Sequence, residues 1–279
     1  MAHVIGSSAR PDWTLAVVIG AGGMGMAAAR RLSQRHRVLI ADIDQARIEQ
    51  AAETLRQEGG DAVGIQCDIT DAAAVEALCA RVDQLGGFKV LAHIAGLSPS
   101  MADFQTIMRV NLVGAVTVAE GLRPRATPGT AAVLISSLAG HVSSPPASVQ
   151  EALRTPLSPN LLQSVVQAIG EDQATPQFAY AASKHALMAY CRRAAPAWGE
   201  RGGRIVSLSP GLIATPQGAR EFEHSRSKRD LYARTPLQRE GTMLEIADVI
   251  EFLTSDRASF ISGTDLLVDG GLFAALSKD

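Results

Sequence analysis

The sequence predicts an α/β protein, a doubly wound parallel sheet in a single domain with helices on both faces. Three observations lead there. Short, continuous apolar runs such as Thr14–Ile19 and Ala131–Ser136 are what strands buried on both faces require. Longer stretches with apolar residues at helical spacing separate them, and strand–helix alternation is the pattern of βαβ units. A glycine cluster, Gly20 to Gly25, stands at the first strand–helix junction. The 279 residues suffice for one large domain with a full core.

Taken in chain order, Met1 to Trp13 is polar and non-periodic and is expected to be a loose leader, leaving 14–279 as the folded domain. After strand Thr14–Ile19 comes an Ala/Arg/Leu-rich helix to about Arg35, then strand Arg37–Ala41, ending at Asp42. Asp44 to Glu58 reads as a helix with Ile48, Ala51, Ala52 and Leu55 on one face, stopped by Gly59-Gly60. Strand Ala62–Cys67 leads to helix Asp71–Leu85, with Asp71 as its cap. Strand Phe88–Ala95, helix Ala102–Leu122 and strand Ala131–Ser136 follow. Helix Phe178–Trp198, strand Gly203–Leu208, helix Thr242–Thr254 and strand Leu266–Val268 complete the alternation. Residues 143–176 do not fit it. They hold five of the 13 prolines and one basic residue, Arg154, around a helical pattern of Leu161, Leu162, Val165, Val166 and Ile169 that ends at Gly170. This is a bounded helical insertion between the fifth strand and the following helix. It is expected to form a lid or wall for a hydrophobic substrate, or else to cover a surface used for oligomer packing.

Composition removes several function classes. With 26 basic against 28 acidic residues and only 7 Phe, 3 Tyr and 2 Trp, there is neither a basic footprint nor a stacking platform for nucleic acid. The uncharged apolar run Leu15 to Ala29 is broken by glycines and stops at Arg30-Arg31, short of the roughly 20 residues that span a bilayer, so no membrane association is expected. Cys67, Cys79 and Cys191 are scattered, with no CxxC, which fits a reducing, cytoplasmic setting and offers no metal site.

Two constellations carry chemistry. Gly20-Ala21-Gly22-Gly23-Met24-Gly25 fits G-x-G-x-x-G between a strand and a helix, where glycines permit a tight turn and the helix N-terminus meets a pyrophosphate. Asp42, at the end of the second strand, is placed to accept bonds from ribose hydroxyls and to repel a 2′-phosphate, which favours NAD(H) over NADP(H). Tyr180 and Lys184 are four residues apart on a helix and so share a face. A tyrosine of ordinary pKa near 10 is a poor base, and an adjacent ammonium makes it a better one.

With these motifs in order, the chain resembles the short-chain dehydrogenase/reductase family over nearly its whole length, and the resemblance implies a Rossmann-type fold. Val133-Leu134-Ile135-Ser136-Ser137-Leu138-Ala139-Gly140 is similar to the family's serine-bearing fifth strand. Val110-Asn111-Leu112-Val113-Gly114 is similar to its helix asparagine motif, and Ser209-Pro210-Gly211-Leu212-Ile213-Ala214-Thr215 to the stretch at the nicotinamide end. The segments Pro236 to Arg239, Phe260 to Gly263 and Val268 to Gly271 resemble the family's closing motifs.

The resemblance implies a role for each matching residue. Tyr180 is the acid/base, Lys184 lowers its pKa and binds the nicotinamide ribose, and Ser137 orients the substrate oxygen. Asn111 holds a water in a proton relay. Asp68 and Ile69 meet the adenine; Ala95, Gly96, Pro210, Gly211, Ile213 and Thr215 also touch the cofactor. The implied activity is hydride transfer between NAD(H) and a secondary alcohol or ketone, a steroid-like or other apolar one given the insertion, in a homodimer or homotetramer. The alternative is a non-catalytic dinucleotide sensor on the same fold. Two departures stand out. Ile19 replaces the family's threonine in a glycine turn one residue shorter than usual, and His93-Ile94-Ala95-Gly96 replaces Asn-Asn-Ala-Gly. His93 is expected to be a structural substitute, and His141 a surface group.

Overall fold

The computed structural model describes residues 13–215 and 226–277. Residues 1–12 of the expected leader lie outside the described residues. The strands are β1 (Leu15–Ile19), β2 (Arg37–Asp42), β3 (Ala62–Gln66), β4 (Val90–His93), β5 (Ala131–Ile135), β6 (Arg204–Pro210), β7 (Ile213–Ala214), β8 (Gly241–Thr242) and β9 (Asp265–Val268). Seven of them form one all-parallel sheet in the order β3-β2-β1-β4-β5-β6-β9, while β7 and β8 pair separately.

The helices are α1 (Gly23–Leu32), α2 (Gln45–Gln57), α3 (Ala72–Gln84), α4 (Phe104–Met108), α5 (Ala115–Leu122), α6 (Leu138–Val142), α7 (Ala147–Ala152), α8 (Leu161–Ile169), α9 (Pro176–Gly199), α10 (Arg226–Arg234), α11 (Met243–Thr254) and α12 (Leu272–Leu276). Successive strand residues point to opposite faces. Val17, Leu39, Leu91, Leu134 and Ile205 therefore pack with α3, α5 and α9 in one core, and Val18, Ile40, Ala92, Val133 and Val206 with α1, α2 and α11 in the other. Because every interior strand is covered on both faces, it can be apolar throughout, as the sequence runs require.

Two expectations are corrected by tertiary contacts. The helix expected over 102–122 is interrupted: α4 passes into a π-helical stretch, Arg109–Gly114, before α5. There Gly114 lies under Ile69, whose Cγ1 a Cβ at 114 would meet at 2.7 Å. The fourth strand narrows to Val90–His93 because the amides of Ile94 and Ala95 both donate to the Ile19 carbonyl, at 2.8 Å each, which turns the chain out of the sheet. The insertion packs into the core. Val149, Leu153, Leu161 and Val165 are buried in the α9-side core, where each apolar side chain contributes about 1.5–3 kcal/mol. Arg193 on α9 also donates to the Arg154 carbonyl at 3.3 Å. None of residues 143–176 lines the cleft described below, whereas their neighbours Val142 and Gln177 do. Among the described residues no helix is long and apolar enough to cross a membrane.

Candidate active site

The sheet order reverses between β1 and β4, and a cleft of about 1360 Å³ opens beyond the carboxyl ends of the strands at that point. The glycine turn forms one end. Gly20 has φ +101°, and a Cβ there would lie 2.8 Å from the Ala95 amide nitrogen. A Cβ on Gly25 would lie 1.8 Å from the Gly20 carbonyl oxygen, so the helix sits directly on the turn only because both are glycine. Gly22 is the N-cap of α1 and has no side chain to bond the first amides, and nothing stands within 4 Å of where its Cβ would be. The first turn of α1 is thus left open to an anion from the cleft.

The residues expected to meet a dinucleotide all line this cleft: Gly20, Gly22, Gly23, Met24, Gly25, Asp42, Asp68, Ile69, Ala95, Gly96, Pro210, Gly211, Ile213 and Thr215, with Tyr180 and Lys184. Asp42 has a task the sequence did not disclose. Its Oδ2 accepts from the Ala21 amide at 2.7 Å, clamping the glycine turn, and its Oδ1 accepts from the Asp44 amide at 3.0 Å. Arg47 approaches that Oδ1 at 3.7 Å. Asp68 accepts from the amide and hydroxyl of Thr70 at 2.8 and 2.7 Å, and Asp71 caps α3 as expected.

Opposite the turn, α9 begins with Thr175 accepting from the Phe178 amide and with Pro176 in its first turn. This helix brings Tyr180 and Lys184 to the cleft on one face. The Lys184 ammonium lies 5.9 Å from the Tyr180 ring centroid and donates to the Ile135 carbonyl at 2.7 Å. Burial pushes its pKa down to about 8. Ser137 lines the cleft from the end of β5 and caps α6, its Oγ accepting from the Ala139 amide at 3.2 Å. Gly96 keeps space open, since a Cβ there would sit 3.3 Å from Asn111 Oδ1 and 3.4 Å from Lys184 Nζ.

Asn111 lies behind the cleft wall. It is fully buried and off the cleft lining, because its amide is committed to Leu97, accepting from the Leu97 nitrogen at 2.7 Å and donating to its oxygen at 2.9 Å. Its side chain holds the wall. His93 is 1% exposed at the end of β4 and absent from the lining. Burial first, and the Lys184 ammonium second, hold its pKa down to about 3, so the ring is neutral, and its Nε2 has no hydrogen-bond partner. His141 is not a surface group. Its Nε2 meets Asp265 Oδ2 at 2.7 Å, a contact between residues 124 apart in the chain with no local signal. Among the described residues no cluster of three metal-ligating side chains occurs.

A family model described as short chain dehydrogenase matches residues 14–152, and one described as Enoyl-(Acyl carrier protein) reductase matches residues 161–273. A short-chain dehydrogenase/reductase, bsc3, from Alternaria brassicicola is 34% identical, across 94% of this chain and 97% of its own. The chain belongs to the short-chain dehydrogenase/reductase family. As a short-chain dehydrogenase/reductase it is an oxidoreductase of CH–OH and C=O groups in small molecules that works with a nicotinamide dinucleotide. A cyclopentanol dehydrogenase from Comamonas sp. is 29% identical across 94% of this short-chain dehydrogenase/reductase and 98% of its own chain. The crystal structure of gox2181 superposes with a TM-score of 0.77 at 26% identity, covering 94% of this chain and 96% of that one.

Proposed function

We propose that this chain is an NAD(H)-dependent dehydrogenase/reductase that interconverts an apolar secondary alcohol, of alicyclic or steroid-like type, with its ketone. The observation that carries the reading is the buried Lys184 ammonium beside the Tyr180 ring, facing a cleft that Ser137 also lines. When bound, the nicotinamide supplies the hydride acceptor or donor. The chain's own residues do the rest. The open amides at the start of α1 receive the pyrophosphate, and Asp68 and Ile69 flank the adenine. Tyr180 exchanges a proton with the substrate oxygen at its hydroxyl. Lys184 stabilises the phenolate form by its charge and, in this reading, holds the nicotinamide ribose. Ser137 Oγ orients the substrate oxygen as charge develops there. Asn111 acts through Leu97, fixing the wall of the cleft.

Asp42 supports NAD(H) over NADP(H), since a carboxylate at the ribose end opposes a 2′-phosphate. An apolar substrate is supported by Leu97, Met101, Val142, Leu231 and Leu276 on the lining, and by the similarity to an enzyme named for cyclopentanol, an alicyclic alcohol. A homodimer or homotetramer in the cytoplasm completes the proposal, in line with three buried free cysteines. Titration with NADH and NADPH, then a panel of alicyclic alcohols compared with Tyr180→Phe, tests it. The variant should bind NADH as the wild type does and lose at least about 100-fold in kcat. Tighter binding of NADPH than of NADH would overturn the cofactor assignment. Binding of NADH with no turnover of any alcohol or ketone would favour the sensor reading.

A further inference from the structure

Beside the cleft, but outside its lining, lies a polar cluster that the reaction does not use directly. Asp265 on β9 has a side chain only 2% exposed, and three donors converge on it. Ser207 and Ser209 on β6 donate to Oδ1 at 2.5 and 2.9 Å, and His141 on α6 meets Oδ2 at 2.7 Å. Phe273 on α12 covers the His141 ring, with centroids 5.4 Å apart. A buried carboxylate is tolerated only with such donors in place, so this one is a fixed point.

What it fixes is α6. A helix of five residues has no stability of its own and depends on its anchors. On its α9 side, Gly140 packs against the Lys184–His185 backbone, where a Cβ would be 2.9 Å away, and His185 Nδ1 donates to the Gly140 carbonyl at 3.1 Å. On the β6–β9 side, His141 supplies the hydrogen bond that holds it. The residue capping this helix is Ser137. We propose that His141 is a positioning residue for Ser137: its bond to Asp265 stops α6 from pivoting on α9, and so sets where the Ser137 hydroxyl stands relative to Tyr180. The same carboxylate holds Ser209, immediately before Pro210 and Gly211, so one anchor aligns the serine with the strand end at the far side of the cleft. This rests on Ser137 and Tyr180 being the reacting pair proposed above.

The test uses His141→Ala and His141→Gln in the full-length protein, the glutamine retaining a side-chain N–H for Asp265. Misplacing a reacting group by about 1 Å costs roughly 100-fold. His141→Ala should therefore lower kcat by about 10- to 100-fold while NADH affinity stays within about twofold, and His141→Gln should recover most of the loss. Hydrogen exchange, which needs no turnover, should quicken in peptides covering 138–142 of His141→Ala and not in those covering α9 or β5. Wild-type kcat in His141→Ala would overturn the proposal. So would unchanged exchange at 138–142, or equal losses of NADH affinity and kcat that His141→Gln fails to restore. If the wild type turns over no alcohol or ketone, the reaction proposed above fails, and the exchange result still decides whether His141 anchors α6.

Discussion

His93 makes the stability of this protein depend on pH between about 6.5 and 3, a window it shares with the carboxylates. In the folded chain it stays neutral until about pH 3, while in the unfolded chain it takes up a proton near its ordinary value of 6.5. Its folded value is depressed, so the stabilisation is fully present above pH 6.5 and is lost progressively as the pH falls toward 3. A difference of this size, at about 1.4 kcal/mol per pKa unit, amounts to something on the order of 5 kcal/mol over the whole window. About 3 kcal/mol of it is gone by roughly pH 4. That is a large part of the 5–15 kcal/mol that holds a typical domain together. The perturbation is His93→Asn, which keeps a polar side chain but removes the titration. Urea denaturation followed at pH 7, 6, 5 and 4 gives the comparison, and carboxylates cancel because both proteins carry them. The variant starts from its own stability at pH 7, and from there the wild type should lose about 3 kcal/mol more than the variant does, roughly 1 M in urea midpoint. Parallel curves for the two proteins between pH 7 and pH 4 would refute the argument, since they would mean that the folded ring takes up its proton as readily as the unfolded one.

Four further outcomes follow. On the proposed mechanism ketone reduction uses the Lys184 ammonium, so kcat/KM should fall about tenfold per pH unit above pH 8, and the residual activity of Lys184→Met should show no such limb. By linkage the same depressed value makes the fold gain stability between about pH 8 and 10.5, which chemical denaturation across that range checks. Gly25→Ala forces a Cβ to within 1.8 Å of the Gly20 carbonyl oxygen, so it should abolish NADH binding by fluorescence titration and cost about 1–3 kcal/mol or more in unfolding experiments. Val142→Trp narrows the cleft and should raise KM for bulky alcohols with NADH affinity unchanged, whereas Leu157→Ser, on the insertion, should leave both as they are.

The strand–helix alternation was legible because its signals are local. A run such as Val38–Ala41 is buried on both faces wherever it sits in a parallel sheet, and Asp71 caps α3 within its own turn. The same holds for the glycine turn and for Tyr180 with Lys184, whose geometry is set by one helix. What escaped depends on distant partners. The π-helical stretch comes with Gly114 packing on Ile69 and Asn111 bonding Leu97, and nothing within 109–114 announces either. The apolar face of α8 says that it is buried but not against what, so a lid and a core helix read alike. Asp42 was recognised by its place at the end of β2, yet its bond to Ala21 appears only once the strands are side by side.

The insertion leaves the cleft at Val142 and returns to it at Gln177, yet keeps its own apolar side chains elsewhere. Two selective pressures are thereby uncoupled. Residues such as Val149 and Leu161 answer only to the volume of the core and can drift together as any packed cluster does. Val142 and Gln177 instead shape the cleft wall. Substitutions at Val142 and Gln177 thus alter the cleft wall without touching the packing of α7 and α8, and substitutions of buried residues in those helices alter the core without touching the wall.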